Sequence, residues 1–326
     1  MLGAVALGEL AKKLRGSRGL AAKRDIAAAV ARLGVSGESV VPVGDDCAAI
    51  PDGDGFLLLA IEGFMNEFVA GDTWFAGWCG VMVNVSDVAA MGGRPLAVVD
   101  AVWAASEHDA APVLAGLRAA SHAFGVPIVG GHSNTRTDRG QLSVAILGRA
   151  KRLISSFDAR PGDRLVAAID LRGRYREPFS NWEAATDAPV ARLRADLELL
   201  PSIAEARLAV AGKDISQGGL VGTAMMLAEC SGVGAAIDVA RVPKPEGVAL
   251  ERWLQTFPSY GYLLAVAPAN LPAVLARFVA RGIAAGDIGT ITADRRVVIA
   301  DGTVTETIWD FAREPLIGCT RVEVPA

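Results

Sequence analysis

The chain has 326 residues with a formal net charge of −4, and 52% of them are hydrophobic. This length exceeds what one hydrophobic core usually supports, so we expect two domains. The charge gives no basic surface for nucleic acid or for anionic membranes. No run of about 18 uncharged apolar residues occurs, so no transmembrane helix is predicted.

The first 35 residues predict two helices, with a break at the GSRG segment of residues 16–19. Glu9 and Lys12 interrupt the apolar start of the chain, which argues against a signal peptide. The four cysteines are isolated, so neither a zinc motif nor a disulfide framework is expected. These features indicate a reducing, cytoplasmic compartment.

Helix and strand signals alternate along the rest of the chain. In the first half we predict strands over residues 56–61, 96–103, 126–129 and 142–149, and helices over 74–91 and 109–124. In the second half we predict strands over residues 164–170, 235–239, 262–267, 287–292 and 296–300, and helices over 189–211, 219–231 and 270–281.

A strong turn signal, ARPGD at residues 159–163, precedes the first strand of the second half. It places a domain boundary near residue 152, which predicts domains over residues 1–152 and 153–326. The polar and aromatic segment 173–188 interrupts the second pattern. Such irregular segments are often functional.

Carboxylates stand at unusual positions in the first half. Asp45 and Asp46 are adjacent, and their mutual repulsion requires a counter-cation or water. Glu62 ends the apolar run FLLLAI, where a carboxylate is costly unless it is paired. Mg²⁺ prefers a few carboxylates together with phosphate and water oxygens. The pattern therefore suits a magnesium site, with an exposed turn and a solvent-reaching glutamate as the ordinary alternatives.

Two polar segments follow in the first half. Asn84 and Asp87 are three residues apart in the predicted helix 74–91, so they share a face and need partners. Gly130 and Gly131 follow a predicted strand and would let the backbone approach a phosphate closely. A nucleotide–metal site explains these residues, and so do internal hydrogen bonds and a tight turn.

The second half carries one comparable segment. Asp214 stands in KDISQGG, a few residues before the predicted helix 219–231. A helix N-terminus preceded by glycines binds anions through its free N–H groups. An ordinary capped loop is the alternative.

Taken in order, these segments resemble the superfamily of aminoimidazole ribonucleotide synthetase. The series is GDD at 44–46, the acid at 62, NVSDVAAMGGRP at 84–95, GGHS at 130–133, RPGD at 160–163, DISQGGL at 214–220 and SGVG at 231–234. It spans residues 35–300, and NVSDVAAMGGRP is its most specific member.

The resemblance implies an α+β protein with two PurM-like domains. The N-terminal domain would bind ATP and Mg²⁺, and its sheet would pair with that of a second subunit into a β-barrel across a homodimer. The C-terminal domain would be an α/β sandwich. ATP would lie at the domain and dimer cleft, with Mg²⁺ bridging its phosphates beside a small-molecule phosphoryl acceptor.

By position, the resemblance also implies the site residues. The metal and phosphate shell would be Asp45, Asp46, Glu62, Asp87 and Asp214, of which Asp45, Asp87 and Asp214 are the catalytic candidates. Nucleotide contacts would come from Asn84, Gly130, Gly131 and His132. The N-terminal segment takes the place of a mobile lid, from which Arg18 and Lys23 would reach the phosphates.

Several positions depart from the well-defined members. His132 stands where thiamine-monophosphate kinase usually has Asp, and Glu62 stands where most members have Asp. No cysteine precedes Cys47, which argues against the selenium chemistry of selenophosphate synthetase. The chain therefore resembles a less-characterised, synthetase-related branch.

The shared chemistry implies ATP- and Mg²⁺-dependent phosphoryl transfer to a small metabolite. Thiamine-monophosphate kinase is an alternative activity, and a non-catalytic nucleotide-binding regulator is an alternative of another class. Candidates for recognising the acceptor are Arg174, Tyr175, Arg176, Trp182 and Glu183, unless this insert is a surface loop with an aromatic anchor. No GxSxG or Walker motif occurs, so the phosphate site must be built in another way.

Overall fold

A computed structural model of the chain describes residues 3–34 and 40–320. The outermost residues of both predicted domains, 1–2 and 321–326, lie outside this range. In chain order, the helices are α1 (Ala4–Arg15), α2 (Arg18–Lys23), α3 (Asp25–Leu33), α4 (Asn66–Gly71), α5 (Thr73–Ala90), α6 (Glu107–Phe124), α7 (Val190–Leu197), α8 (Leu199–Glu205), α9 (Gly219–Ser231), α10 (Leu250–Leu254) and α11 (Leu271–Val279). None of these helices is long and apolar enough to cross a membrane.

The strands of the described chain are β1 (Ala48–Asp52), β2 (Gly55–Gly63), β3 (Arg94–Trp103), β4 (Ile128–Asn134), β5 (Gln141–Ala150), β6 (Arg164–Ile169), β7 (Arg174–Tyr175), β8 (Asn181–Glu183), β9 (Ala211–Asp214), β10 (Gly234–Asp238), β11 (Phe257–Pro258), β12 (Gly261–Val266), β13 (Ala284–Thr292), β14 (Arg296–Asp301) and β15 (Val304–Asp310). Helices and strands are mixed throughout, which confirms the predicted α+β class.

The described chain divides into two compact units. The five-stranded unit comprises residues 47–153 and 186–202, and the seven-stranded unit comprises the described residues up to 46, 154–185 and those from 203 onward. The N-terminal segment therefore groups with the second half, unlike the predicted domain 1–152. The reason is the apolar stripe of α1, since Leu7, Leu10 and Leu14 are buried and α1 packs on β15.

The five-stranded unit has the strand order β1-β2-β5-β3-β4, in which only β3 and β4 run parallel. Helix α5 packs on one face of this sheet, where Val144 and Ile146 of β5 are buried. Helix α6 packs on α5 at very close range. A Cβ on Gly116 would lie 1.9 Å from the carbonyl oxygen of Trp74, so only glycine fits there.

The opposite face of this sheet is apolar and exposed. Leu59 pairs with Leu147, and Ile61 lies in register with Ala145 and Val99, so their side chains share one face. Ile61 is 70% exposed and Leu59 is 48% exposed. The described strands form an open sheet with β1 and β4 at its edges, so the barrel predicted across a dimer stays a prediction.

The seven-stranded unit has the strand order β15-β14-β10-β13-β6-β12-β9, with β9 at one edge. Helix α9 packs against this sheet and is almost entirely buried, which explains its apolar sequence GLVGTAMMLAEC. The segment 173–188, predicted to be irregular, instead contributes β7 and β8 to a small sheet with β11.

The continuous helix predicted over residues 189–211 is wrong. Helix α7 ends at Leu197 and α8 spans Leu199–Glu205, after which the chain forms β9. Pro201 lacks the N–H group that a continuous helix would bond to residue 197. Strands β1 and β15 were also missed.

Candidate functional site

The GDD segment forms a turn in the seven-stranded unit, just before the chain enters the five-stranded unit. Gly44 has φ +125°, a conformation that residues with side chains rarely adopt. A Cβ at this position would lie 2.6 Å from the Cβ of Cys319. Glycine is therefore required here, both for the backbone conformation and for the close packing.

Asp45 bonds this turn to residues 155 and 156, which follow the five-stranded unit in the chain. Its carboxylate accepts hydrogen bonds from Ser155 Oγ at 2.9 Å, Ser156 N at 2.9 Å and Ser156 Oγ at 2.6 Å. Burial raises the pKa of Asp45, and the neighbouring Asp46 adds to this, although the Lys213 cation and Ser156 oppose it. The serines were missed because nothing in the sequence links them to residue 45.

Asp46 is held by two successive residues of the edge strand β9. Lys213 Nζ lies 2.5 Å from Asp46 Oδ1, and the backbone N–H of Asp214 donates to Asp46 Oδ2 at 3.1 Å. Both side chains of the ion pair are buried. Burial lowers the pKa of Lys213, but the charges of Asp46 and Asp45 outweigh this and raise it, so the ammonium stays charged.

Asp214 adds a second carboxylate beside Asp46. Ligand oxygens of these two residues lie within 4.8 Å of one another, although the residues are far apart in sequence. Paired carboxylate oxygens are a donor set that suits Mg²⁺. The structure thus brings together Asp45, Asp46 and Asp214 of the predicted shell, and it adds Lys213, which sequence reasoning missed.

The N-terminal segment lies against the KDISQGG loop. A Cβ on Gly19 in α2 would lie 2.1 Å from the carbonyl oxygen of Gln217, and Leu20 is buried. Cγ of Lys23, at the end of α2, lies 3.9 Å from the position of a Cβ on Gly218. Lys23 therefore stands beside the start of α9.

The other predicted acids lie in the five-stranded unit. Asp87 is buried in α5, and Glu62 is half-buried in β2, opposite Val144. Asn84 is fully buried, and its Nδ2 donates to the carbonyl oxygens of Gly80 at 2.8 Å and Val144 at 3.0 Å. This amide fastens α5 to β5, and contact of Asn84 with a nucleotide stays a prediction.

Gly130, Gly131 and His132 lie within β4 and are exposed. The predicted strand end at residue 129 and the turn after it are wrong, because the strand continues to Asn134. A Cβ on Gly131 would lie 2.7 Å from the carbonyl oxygen of Asp100, so close packing explains this glycine. Contact of this segment with phosphate stays a prediction.

The aromatic insert is partly structural. Trp182 is 6% exposed, and its Nε1 donates to the carbonyl oxygen of Asp170 at 3.0 Å. Glu183 is buried too. Tyr175 packs edge-on against Trp182, and the guanidinium of Arg252 lies 3.5 Å from its ring centroid. Trp182 is therefore the aromatic anchor of the insert.

Comparison with known proteins identifies the family. The family AIR synthase related protein matches with its N-terminal domain over residues 44–150 and its C-terminal domain over residues 174–302. The chain belongs to this family. The resemblance inferred from the sequence is confirmed.

Two relatives of this AIR synthase-related protein and one solved structure of the same fold are informative. An uncharacterised protein of Synechocystis sp. is 47% identical, over 96% of this chain and 99% of that protein. A thiamine-monophosphate kinase of Halobacterium salinarum is 30% identical, over 67% of this chain and 76% of the kinase. The solved structure of AaThiL complexed with AMPPCP and TMP shares the fold, with a TM-score of 0.65 at 21% identity over 87% of this chain and 96% of that one.

Proposed function

We propose that this AIR synthase-related protein binds ATP with Mg²⁺ and transfers a phosphoryl group to a small metabolite. The observation that carries the proposal is the convergence of Asp46 and Asp214, since one carboxylate oxygen of each lies within 4.8 Å of the other. The kinase among the relatives supports the reaction class.

Phosphoryl transfer depends on positioning and on charge neutralisation more than on a covalent nucleophile. Bound Mg²⁺ offsets the charge of the transferred group. We assign the ion to Asp46 and Asp214, with Asp45 fixing the turn that presents Asp46. Glu62 and Asp87 keep their proposed place in the metal shell on the strength of the family resemblance.

The start of α9 is our proposed contact for phosphate oxygens. Gly219 has φ +65°, and a Cβ there would lie 2.3 Å from the carbonyl oxygen of Leu254. The first N–H groups of this 13-residue helix carry the positive end of its dipole. Lys23 adds a positive charge beside Gly218. Further family-based candidates for the nucleotide are Asn84, Gly130, Gly131 and His132.

Calorimetric titration with ATP, with and without Mg²⁺, followed by turnover assays with metabolite mixtures, tests the proposal. We expect Mg²⁺-dependent binding and turnover. Asp214→Asn should lower turnover by about 100-fold, because a neutral amide is a poor Mg²⁺ ligand. Glu246→Gln, at an exposed acid, is the matched control. ATP binding without turnover in any metabolite pool, or full activity of Asp214→Asn, would contradict the proposal.

Thiamine monophosphate is a specific candidate acceptor, because the Halobacterium relative is a thiamine-monophosphate kinase. Incubation with thiamine monophosphate and ATP tests it directly. Appearance of thiamine diphosphate would establish this activity. Its absence, in a preparation that binds ATP, would reject thiamine monophosphate as the acceptor and leave the general proposal standing.

We also propose that the protein is a homodimer that buries the exposed face of its five-stranded sheet. A contiguous apolar surface of this kind is typical of an interface. Light scattering after size-exclusion chromatography should give twice the monomer mass. Leu59→Glu on this face should produce monomers, whereas Val5→Glu, at a residue that is 83% exposed on α1, should not. A monomeric wild-type protein would refute this assembly.

A further inference from the structure

Lys213 is a buried cation inside the carboxylate cluster. Its side chain is 6% exposed, and that of Asp46 is 4% exposed. Besides its contact with Asp46 Oδ1, Nζ lies 3.4 Å from the carbonyl oxygen of Gly44. A buried ammonium is costly unless it is paired, and two adjacent buried carboxylates are equally costly without a cation. The two groups therefore stabilise each other.

The contacts that neutralise the charge of Asp46 also fix the orientation of its carboxylate. Lys213 Nζ donates to Oδ1 of Asp46, and the N–H of Asp214 donates to Oδ2, so each oxygen accepts one hydrogen bond. Because both donors come from successive residues of β9, the strand holds the carboxylate in one orientation. Each carboxylate oxygen retains a further lone pair for a ligand.

We propose that Lys213 is a positioning residue, a built-in counter-cation that holds Asp46 in ligand geometry before a divalent ion binds. The inference rests on the proposed function, in which Asp46 is a ligand of Mg²⁺. Lys213 also competes with the divalent ion for Asp46. It thereby keeps the turn folded without metal and weakens metal binding.

Lys213→Met tests this inference, because methionine keeps an unbranched apolar side chain and removes the charge. In EDTA we expect its melting temperature to fall by about 5 °C or more. Added Mg²⁺ should raise it by more than it raises that of the wild type. Mn²⁺, measured by electron paramagnetic resonance, should bind at least about tenfold more tightly, since a competing cation has been removed. Lys12→Met, which makes the same change at an exposed lysine of α1, is the control and should stay close to the wild type.

The double variant Asp46→Asn/Lys213→Met separates charge from packing. It should recover part of the melting temperature that Lys213→Met loses in EDTA, because no unpaired carboxylate remains at position 46. If Lys213→Met does not fold without metal, the stability of the double variant in EDTA still tests the inference. A double variant no more stable than the single one would overturn the inference, since the loss would then come from side-chain packing.

An unchanged melting temperature and unchanged Mn²⁺ affinity in Lys213→Met would overturn it as well. The measurements in EDTA involve neither ATP nor metal. A wild-type protein without Mg²⁺-dependent turnover would count against the proposed function alone. The melting temperatures of the variants in EDTA would still test the role of Lys213.

Discussion

Glu229 provides a sharp test of how the turn that carries Asp45 and Asp46 is supported. It lies in the buried helix α9 and is 3% exposed. Its Oε1 accepts the backbone N–H groups of Leu316 at 2.9 Å and Gly318 at 3.2 Å, and its Oε2 accepts that of Ile317 at 2.7 Å. One carboxylate thus clamps three successive residues near the end of the described chain.

The clamp bears on the candidate site through the next residue. Cys319 follows the clamped segment and packs on Gly44, where a Cβ would lie 2.6 Å from the Cβ of Cys319. Loss of the clamp should therefore loosen the packing under the GDD turn. A packing change at Gly44 moves Asp45 and Asp46 directly, because they are the next two residues.

The Glu229→Gln variant removes the charge while keeping the shape. In its better orientation, the amide oxygen retains the bonds to Leu316 and Gly318, each weaker by about 1 kcal/mol without the charge. The amide nitrogen then faces the N–H of Ile317, which is left unsatisfied at a cost of about 1–3 kcal/mol. Relief from burying a charge offsets part of this. We expect a loss of about 3 kcal/mol.

Urea unfolding measures the loss in the free energy of unfolding, and hydrogen exchange shows which residues are affected. Residues 316–318 should exchange faster in Glu229→Gln than in the wild type, because their protecting acceptor is weakened. Glu246→Gln, at an exposed acid, should stay within about 0.5 kcal/mol of the wild type. A Glu229→Gln variant that behaves like this control would refute the clamp.

Two further predictions concern packing and pH. Gly116→Ala should destabilise the protein by about 1–3 kcal/mol in urea unfolding, because its methyl group would meet the Trp74 carbonyl oxygen, a rigid backbone atom. Burial raises the pKa of Asp287, but hydrogen bonds from Arg164 and Arg241 outweigh it and hold this pKa below the usual 3.8. A carboxyl group whose pKa is lower in the folded state than in the unfolded state stabilises the protein at pH values above its unfolded-state pKa. This stabilisation is lost as the pH falls through the folded-state pKa. The stability difference between wild type and Asp287→Asn should therefore shrink from about pH 5 to about pH 3.

Each of these predictions has a matched control. Arg118→Ala lies on the exposed side of α6, two residues from Gly116, and should change stability by no more than about 0.5 kcal/mol. Asp138→Asn, at a side chain that is 78% exposed, should follow the wild-type pH profile. A Gly116→Ala variant as stable as the wild type would contradict the packing argument. A stability difference between wild type and Asp287→Asn that does not change with pH would contradict the pKa argument.

The sequence by itself determined the family, the α+β class and most of the larger elements. The family and the class were implied by the resemblance that the order of the motifs carries. Local signals suffice for the elements, because apolar periodicity and glycine punctuation depend only on neighbouring residues. They fail where a single residue interrupts a pattern, as Pro201 does in the predicted helix 189–211. They also fail where glycines serve packing, as Gly131 does within β4.

The partners of the candidate site were decided by tertiary structure alone. Asp45 meets Ser155 and Ser156, and Asp46 meets Lys213, across separations of 110 residues or more. No periodicity encodes such a meeting, since it follows from the edge position of β9 and from the path of the returning chain. The carboxylates could be named from the sequence, but the cation that holds them could not, because its role exists only once burial removes water from both charges.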